Sequence, residues 1–331
     1  MRALILLLAL ALVGCGQRET APPEGEPPFL QAAAAYSKET SGLAVLVLER
    51  GEITLEEYQN GQTADQAVGL VSGTKSFWGV AAAAAVADGL LSFDEAAADT
   101  LTEWRSDPLR SRITVRHLLS LTSGLEPVDL RVVEAGATDL FGFAVASPAA
   151  HEPGSHFEYD SVHLQAFGEL LKRKLGGEDP VAYLQRRVLD PIGVKVADWE
   201  RDSAGNPGMA AGAWMTARDW ATFGQFLLQE GEWEGQQIIP AALLRECFVG
   251  TKANLAYGLT FWINPPADKA DPLGPPDLIR LSGYGGQRLY IIPSWQMVVV
   301  RLGFEPEPGW SRPPTFEDQD FLNLLQGKFR M

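Results

Sequence analysis

The strand-like segments of this chain lie at its two ends, and that placement constrains the possible folds more than any other feature. Residues 42–48 (GLAVLVL) form an apolar run of strand length. Arg50-Gly51 follows, then a second run over 53–58, and two such runs across a short turn predict a hairpin. Far along the chain, LYIIP (289–293) and MVVVRLG (297–303) flank Ser294-Trp295-Gln296 in the same way. Residues 257–263 and 278–281 predict two further strands, and terminal helices are predicted over 29–40 and 316–329. Strands from both ends can share one sheet only if the middle loops out. The expected class is therefore α+β: an antiparallel sheet built from both chain ends with flanking helices, plus a largely helical insertion.

The middle fits that reading. Apolar periodicity and caps predict helices over 72–89, 92–104, 115–121, 162–175, 179–188 and 216–230. Asp179-Pro180 supplies an N-cap and first-turn pair. The folded body is expected over 29–331, with the sheet part at about 29–70 and 255–331 and the helical part at about 71–254. Of 331 residues, 46% are hydrophobic, enough to bury a core. A net charge of −15 would repel phosphate backbones, which argues against nucleic-acid binding.

The N-terminus reads as an address. Arg2 precedes an unbroken apolar run over 3–13, too short to span a bilayer, which ends in Leu12-Val13-Gly14-Cys15. This resembles the lipobox of bacterial lipoproteins. The resemblance implies a signal peptide over 1–14, lipidation of Cys15, a flexible tether over 15–28, and export to the bacterial cell envelope. Lipid would anchor the chain at the periplasmic face, with Gly16 favouring the outer membrane, and would be its only membrane contact. Cys247 would then lack a disulfide partner and reads as a buried small hydrophobe within 240–248.

Three motifs carry chemistry. Ser72-Gly73-Thr74-Lys75 opens a helical segment, where Ser72 is placed to cap the helix and Lys75 lies one turn on. A serine hydroxyl becomes a useful nucleophile when a nearby base takes its proton, and a desolvated amine can be that base. An N-cap serine beside a solvated lysine is the plain alternative. The second motif is Pro153-Gly154-Ser155-His156-Phe157-Glu158-Tyr159-Asp160-Ser161, and the third is Ser282-Gly283-Tyr284-Gly285-Gly286-Gln287. No G-x-S-x-G elbow surrounds Ser72 or Ser123, and the four histidines lack zinc-site spacing.

Together with RITVRHLLSLTSGL over 112–125 and MTARDWATFGQFLLQEGEWEGQQIIP over 215–240, these motifs resemble class C serine β-lactamases, penicillin-binding DD-peptidases and related esterases. The resemblance implies Ser72 as nucleophile, and Lys75 and Tyr159 as proton-handling partners, without deciding which is the base. It aligns Tyr284-Gly285-Gly286 with the substrate-binding strand and implies an oxyanion hole from the backbone N–H groups of Gln287 and Ser72. The 112–125 segment reads as scaffold, with Thr114 as N-cap and Gly124 as helix terminator. No metal or organic cofactor is implied. The expected activity is hydrolysis of a small-molecule amide or ester through an acyl-enzyme; the alternatives are a D-alanyl-D-alanine carboxypeptidase acting on cell-wall peptide, a β-lactamase, and a non-catalytic envelope-binding protein. Ser161 stands where lactam-cleaving relatives carry asparagine, and Tyr284 where many carry a cation, so neutral substrates are expected to be preferred. Arg288 is the nearest potential replacement charge.

In a Gram-negative host the chain is expected to partition with membranes. Cys15→Ser should release or misprocess it. Intact-mass spectrometry checks this, since an unmodified mature N-terminus at Cys15 would contradict lipidation.

Overall fold

The computed structural model describes residues 28–127, 139–269, 272–304 and 315–327. The expected signal peptide, Cys15 and most of the expected tether lie outside the described residues. Strands are numbered along the chain. The main sheet has six strands in the order β2-β1-β11-β10-β9-β8, every neighbouring pair antiparallel. They are β1 (Gly42–Glu49), β2 (Glu52–Tyr58), β8 (Trp262–Ile263), β9 (Ile279–Gly283), β10 (Gln287–Ile292) and β11 (Met297–Gly303). The expected sheet from both chain ends thus forms, with β1 beside β11 and Val47 opposite Val299. Two short ribbons complete the strands: β3 (Val68–Gly69), β4 (Asp198–Trp199) and β5 (Ala213–Met215) in one, and β6 (Glu232–Trp233) with β7 (Gln236–Gln237) in the other.

The central strands are mainly apolar because both faces are covered. Leu46, Leu281, Leu289 and Val300 face the inserted helices. Val45, Val47, Tyr290 and Val299 face α1 (Pro28–Glu39) and the last helix, α9 (Asp318–Gln326), through Leu30, Phe321 and Leu325. Between these ends run α2 (Ser76–Ala87), α3 (Val115–Leu119), α4 (Leu140–Ala146), α5 (Val162–Lys174), α6 (Pro180–Leu184), α7 (Ala217–Leu228) and α8 (Ala241–Glu246). Helix α7 packs directly on β1, β10 and β11, so the inserted part supplies the sheet's inner cover. Asp179 caps α6 as its sequence context predicts, accepting from the N–H groups of Val181 and Ala182 at 3.0 Å. Cys247 is fully buried, and no described helix is long and apolar enough to cross a membrane.

Three local expectations are corrected. Residues 92–104 form only 3-10 turns at Ala97–Asp99 and Thr102–Trp104. Ala97 N–H bonds to Ile113 O and Ala96 bridges Thr114, diverting the backbone from a helical ladder. Within 257–263 only Trp262–Ile263 is strand, because Thr260 (φ 72°) turns the chain so that Tyr257 bridges Trp262. Helix α3 ends at Leu119, and Leu121 (φ 57°), not Gly124, takes the left-handed conformation next to its C-terminus.

On the outer face of the sheet, Asp318 receives Arg288 at 2.7 and 3.1 Å, Arg280 at 3.0 Å and the Tyr290 hydroxyl. The carboxylate neutralises two arginines that are themselves largely buried. Asp318→Ala should cost about 3 kcal/mol, because it strands both cations in a low-dielectric layer. Urea unfolding checks this, and a loss under ~1 kcal/mol would show the cluster to be solvent-screened.

Candidate active site

The site begins with a strained turn. Val71 has φ 48°, an uncommon value for a β-branched residue, and opens a 3-10 turn, Val71–Lys75, that runs into α2. Ser72 makes no capping bond and so is not the N-cap expected of it. Neighbours over-determine the turn. Leu70 N–H bonds to Ala213 O at 2.8 Å, and Thr74 Oγ1 accepts from Ala213 N at 3.2 Å. A Cβ on Gly73 would lie 3.0 Å from the Trp220 ring. Helix α2 itself is buried along residues 76–85, and its alanine-rich sequence allows the close approach of Leu259 O to Gly79.

Lys75 follows Ser72 by one 3-10 turn, which brings Nζ to 3.1 Å from Ser72 Oγ. Nζ also donates to Ala210 O at 3.0 Å and lies 4.7 Å from the centroid of the Tyr159 ring. The side chain is only 5% exposed. Burial lowers the Lys75 pKa to about 8, with the Asp160 carboxylate opposing that fall in part. Partial burial raises the Tyr159 phenol above its ordinary value, and the neighbouring Ser72 and Trp262 side chains oppose that rise. Its ring packs against Tyr257 and Trp262, at centroid distances of 6.1 and 5.5 Å.

The segment 112–125 positions the Tyr159 loop. Gly154 N–H bonds to Thr122 O at 2.8 Å and Glu158 N–H to Leu121 O at 3.0 Å. His163 Nε2 donates to Glu158 O at 3.0 Å, which leaves Nδ1 to accept from the Ser123 hydroxyl at 2.7 Å. Burial drives the His163 pKa down to about 4, so the ring stays neutral in this structural role. His117 and Thr114 form a reciprocal capping pair at the start of α3.

The other expected residues divide. Ser161 directly precedes α5, half-buried, while Asp160 accepts from Val162 N–H at 2.8 Å. Tyr284-Gly285-Gly286 is not on the substrate-binding strand. It forms the reversal between β9 and β10, with Gly285 at φ 75°, Gly286 at φ 81° and Tyr284 68% exposed. Adjacent glycines at positive φ suit a tight hairpin turn, and that local need overrides the alignment. The strand residues beside the nucleophile turn are instead Leu281, Ser282 and Gly283; a Cβ on Gly283 would lie 2.1 Å from Leu70 O. Gln287 pairs with Gly283, and its side-chain amide binds the backbone of Gly303 in both directions. Arg301 Nη1 donates to Gly286 O at 2.8 Å and fixes the turn from behind. Arg288 is bound to Asp318 and does not supply the replacement charge. The sequence reading missed Ala210 O and Trp262; both lie far from Ser72 along the chain, and neither carries a local motif.

Comparison with known proteins agrees with this fold. Residues 29–315 match the family model described as Beta-lactamase. An uncharacterized protein of Alkalihalophilus pseudofirmus is 23% identical over 300 residues, covering 79% of this chain and 83% of that protein. A family VIII carboxylesterase superposes with a TM-score of 0.69 at 18% identity, covering 91% of this chain and 96% of that one. A penicillin-binding protein homologue from Caulobacter crescentus gives 0.67 at 18% identity, covering 84% and 92%. With the family model spanning the sheet, the Ser72 turn and the Tyr159 loop, the chain belongs to the β-lactamase family and has its serine-hydrolase fold.

Proposed function

We propose that this protein hydrolyses small neutral esters or amides through an acyl-enzyme on Ser72. The observation that carries this reading is the 3.1 Å approach of a buried, pKa-lowered Lys75 amine to the Ser72 hydroxyl. An amine with a pKa of about 8 has a substantial neutral fraction near neutrality, whereas the Tyr159 phenol, raised above its ordinary value, stays protonated. Lys75 is therefore assigned as the base and Tyr159 as the proton carrier.

Ser72 Oγ bonds to the substrate carbonyl carbon as its proton moves to Lys75 Nζ. The developing oxyanion is held by the backbone N–H groups of Ser72 and Gln287. Collapse breaks the bond to the alcohol or amine, which leaves with a proton from Tyr159, and the Lys75 ammonium restores that proton. Water then cleaves the acyl-enzyme by the same path in reverse. Neutral substrates are favoured over carboxylate-bearing ones because Leu281 and Ser282, on the strand beside the nucleophile turn, carry no charge, and Arg280 and Arg288 are bound to Asp318. Lipid anchoring through Cys15 would place the reaction in the cell envelope.

On a short neutral ester, kcat/KM should rise tenfold per pH unit below pH 8 and level off above it, because the base must be deprotonated. Lys75→Ala and Tyr159→Phe should each lower turnover by about two to four orders of magnitude in a folded protein. A flat profile between pH 6 and 9, or near-normal turnover in either variant, would contradict the assignment.

The same burial predicts a stability trade. The folded-state pKa of Lys75 lies below the ordinary lysine value, so the unfolded chain binds more protons and stability rises with pH between about 8 and 10.5. Below pH 8 the desolvation cost is in full force. Lys75→Met should therefore raise stability by about 1–3 kcal/mol at pH 7, and the gain should shrink as pH approaches 10.5. Denaturant unfolding at pH 7 and 10 measures both.

A further inference from the structure

A cavity of about 330 Å³ adjoins the Ser72 turn. Its wall includes Val71, the residue before Ser72, and Tyr284, the residue after β9, together with Gly212, Trp214 and Glu200. Among the described residues that line it, Glu200 is the only charged side chain. Its Oε1 accepts the Trp214 indole N–H at 3.0 Å, which fixes both groups at the cavity wall. The indole lies against Gly69, where a Cβ would sit 3.3 Å from the ring, so glycine there gives the aromatic plane its seat.

No described cation comes within 4 Å of the Glu200 carboxylate. The arginine next to it, Arg201, is bound to Asp179 at 2.8 Å. Arg280 and Arg288 are held by Asp318 on the outer face of the sheet, and Arg301 is spent on the carbonyls of Gly286 and Thr40. A carboxylate beside an aromatic face attracts a cation and repels a carboxylate-bearing ligand. Trp214 and Tyr284 are both exposed, at 38% and 68%, so the aromatic surfaces are accessible from solvent.

We propose that this cavity is a subsite for a cationic group of the substrate, an ammonium, held by Glu200 and the Trp214 ring. The assignment rests on the hydrolase reading above and extends it: besides neutral esters and amides, the site accepts those that carry an ammonium, and binds them more tightly. The pocket is large enough for a small substituted ammonium, and Val71 in its wall directly precedes Ser72, which ties the subsite to the molecule being cleaved.

The test is binding, read at the Trp214 indole N–H resonance in an ¹⁵N-labelled full chain and assigned with Trp214→Phe. The probes are butyltrimethylammonium, its neutral isostere 3,3-dimethylbutan-1-ol, and butyrate. The cation should shift the resonance saturably and bind at least tenfold tighter than either other probe, in keeping with a charge-assisted contact. Glu200→Gln should weaken the cation about tenfold, and Ser72→Ala should bind it as the wild type does. Equal affinity for cation and isostere, tighter binding of butyrate, or no effect of Glu200→Gln would overturn the subsite. Absence of Ser72-dependent turnover would remove the hydrolase reading while leaving this binding result standing.

Discussion

The structure depends on keeping one lysine out of water. An exposed Lys75 would stay protonated near neutrality and could not accept a proton from Ser72. Burial between the 3-10 turn, Ala210 O and the Tyr159 ring brings its pKa to about 8, with a carbonyl to receive its N–H. Much of the surrounding architecture makes that burial possible. An alanine-rich helix can lie in the centre of the molecule without crowding, and Gly73 and Gly283 let Trp220 and β9 close on the nucleophile turn. The positive φ of Val71 is local strain held by that packing.

Tyr159 meets the lysine from a loop, where order is harder to maintain. Four hydrogen bonds supply it: the Thr122 and Leu121 carbonyls accept from the loop backbone, and His163 links Glu158 O to Ser123. The histidine works as a neutral strut rather than an acid or base. The conspicuous leucine- and serine-rich segment over 112–125 thus acts at one remove from the reacting atoms, by fixing where the phenol sits.

The main architecture was legible because it rests on local signals. Hairpins announced themselves by apolar runs across short turns, and the 72–75 spacing put Ser72 and Lys75 on one side of a helical turn whether that turn is α or 3-10. Non-local features were not legible. Ala97 pairs with Ile113 across the fold, so a periodic stretch never becomes a helix. Tyr284-Gly285-Gly286 aligns with a substrate-binding strand, yet two adjacent glycines serve a chain reversal better and push the strand contact back to Leu281–Gly283. The Glu200 cavity joins residues from six separate stretches, and neither Glu200 nor Trp214 lies in one of the three motifs that carry chemistry.

Charge then organises the site by subtraction. Three arginines lie on or near the substrate strand, and each is occupied: two by Asp318 and one by backbone carbonyls. Among the described residues that leaves the Lys75 amine, the proposed base, with no free cation beside it for a carboxylate. The most direct test of the central claim is mapping of the covalent adduct formed with a fluorophosphonate at pH 8. The account predicts one equivalent of adduct per chain, located on Ser72 by peptide mass spectrometry and absent from Ser72→Ala. An adduct on any other residue, or undiminished labelling of Ser72→Ala, would contradict it.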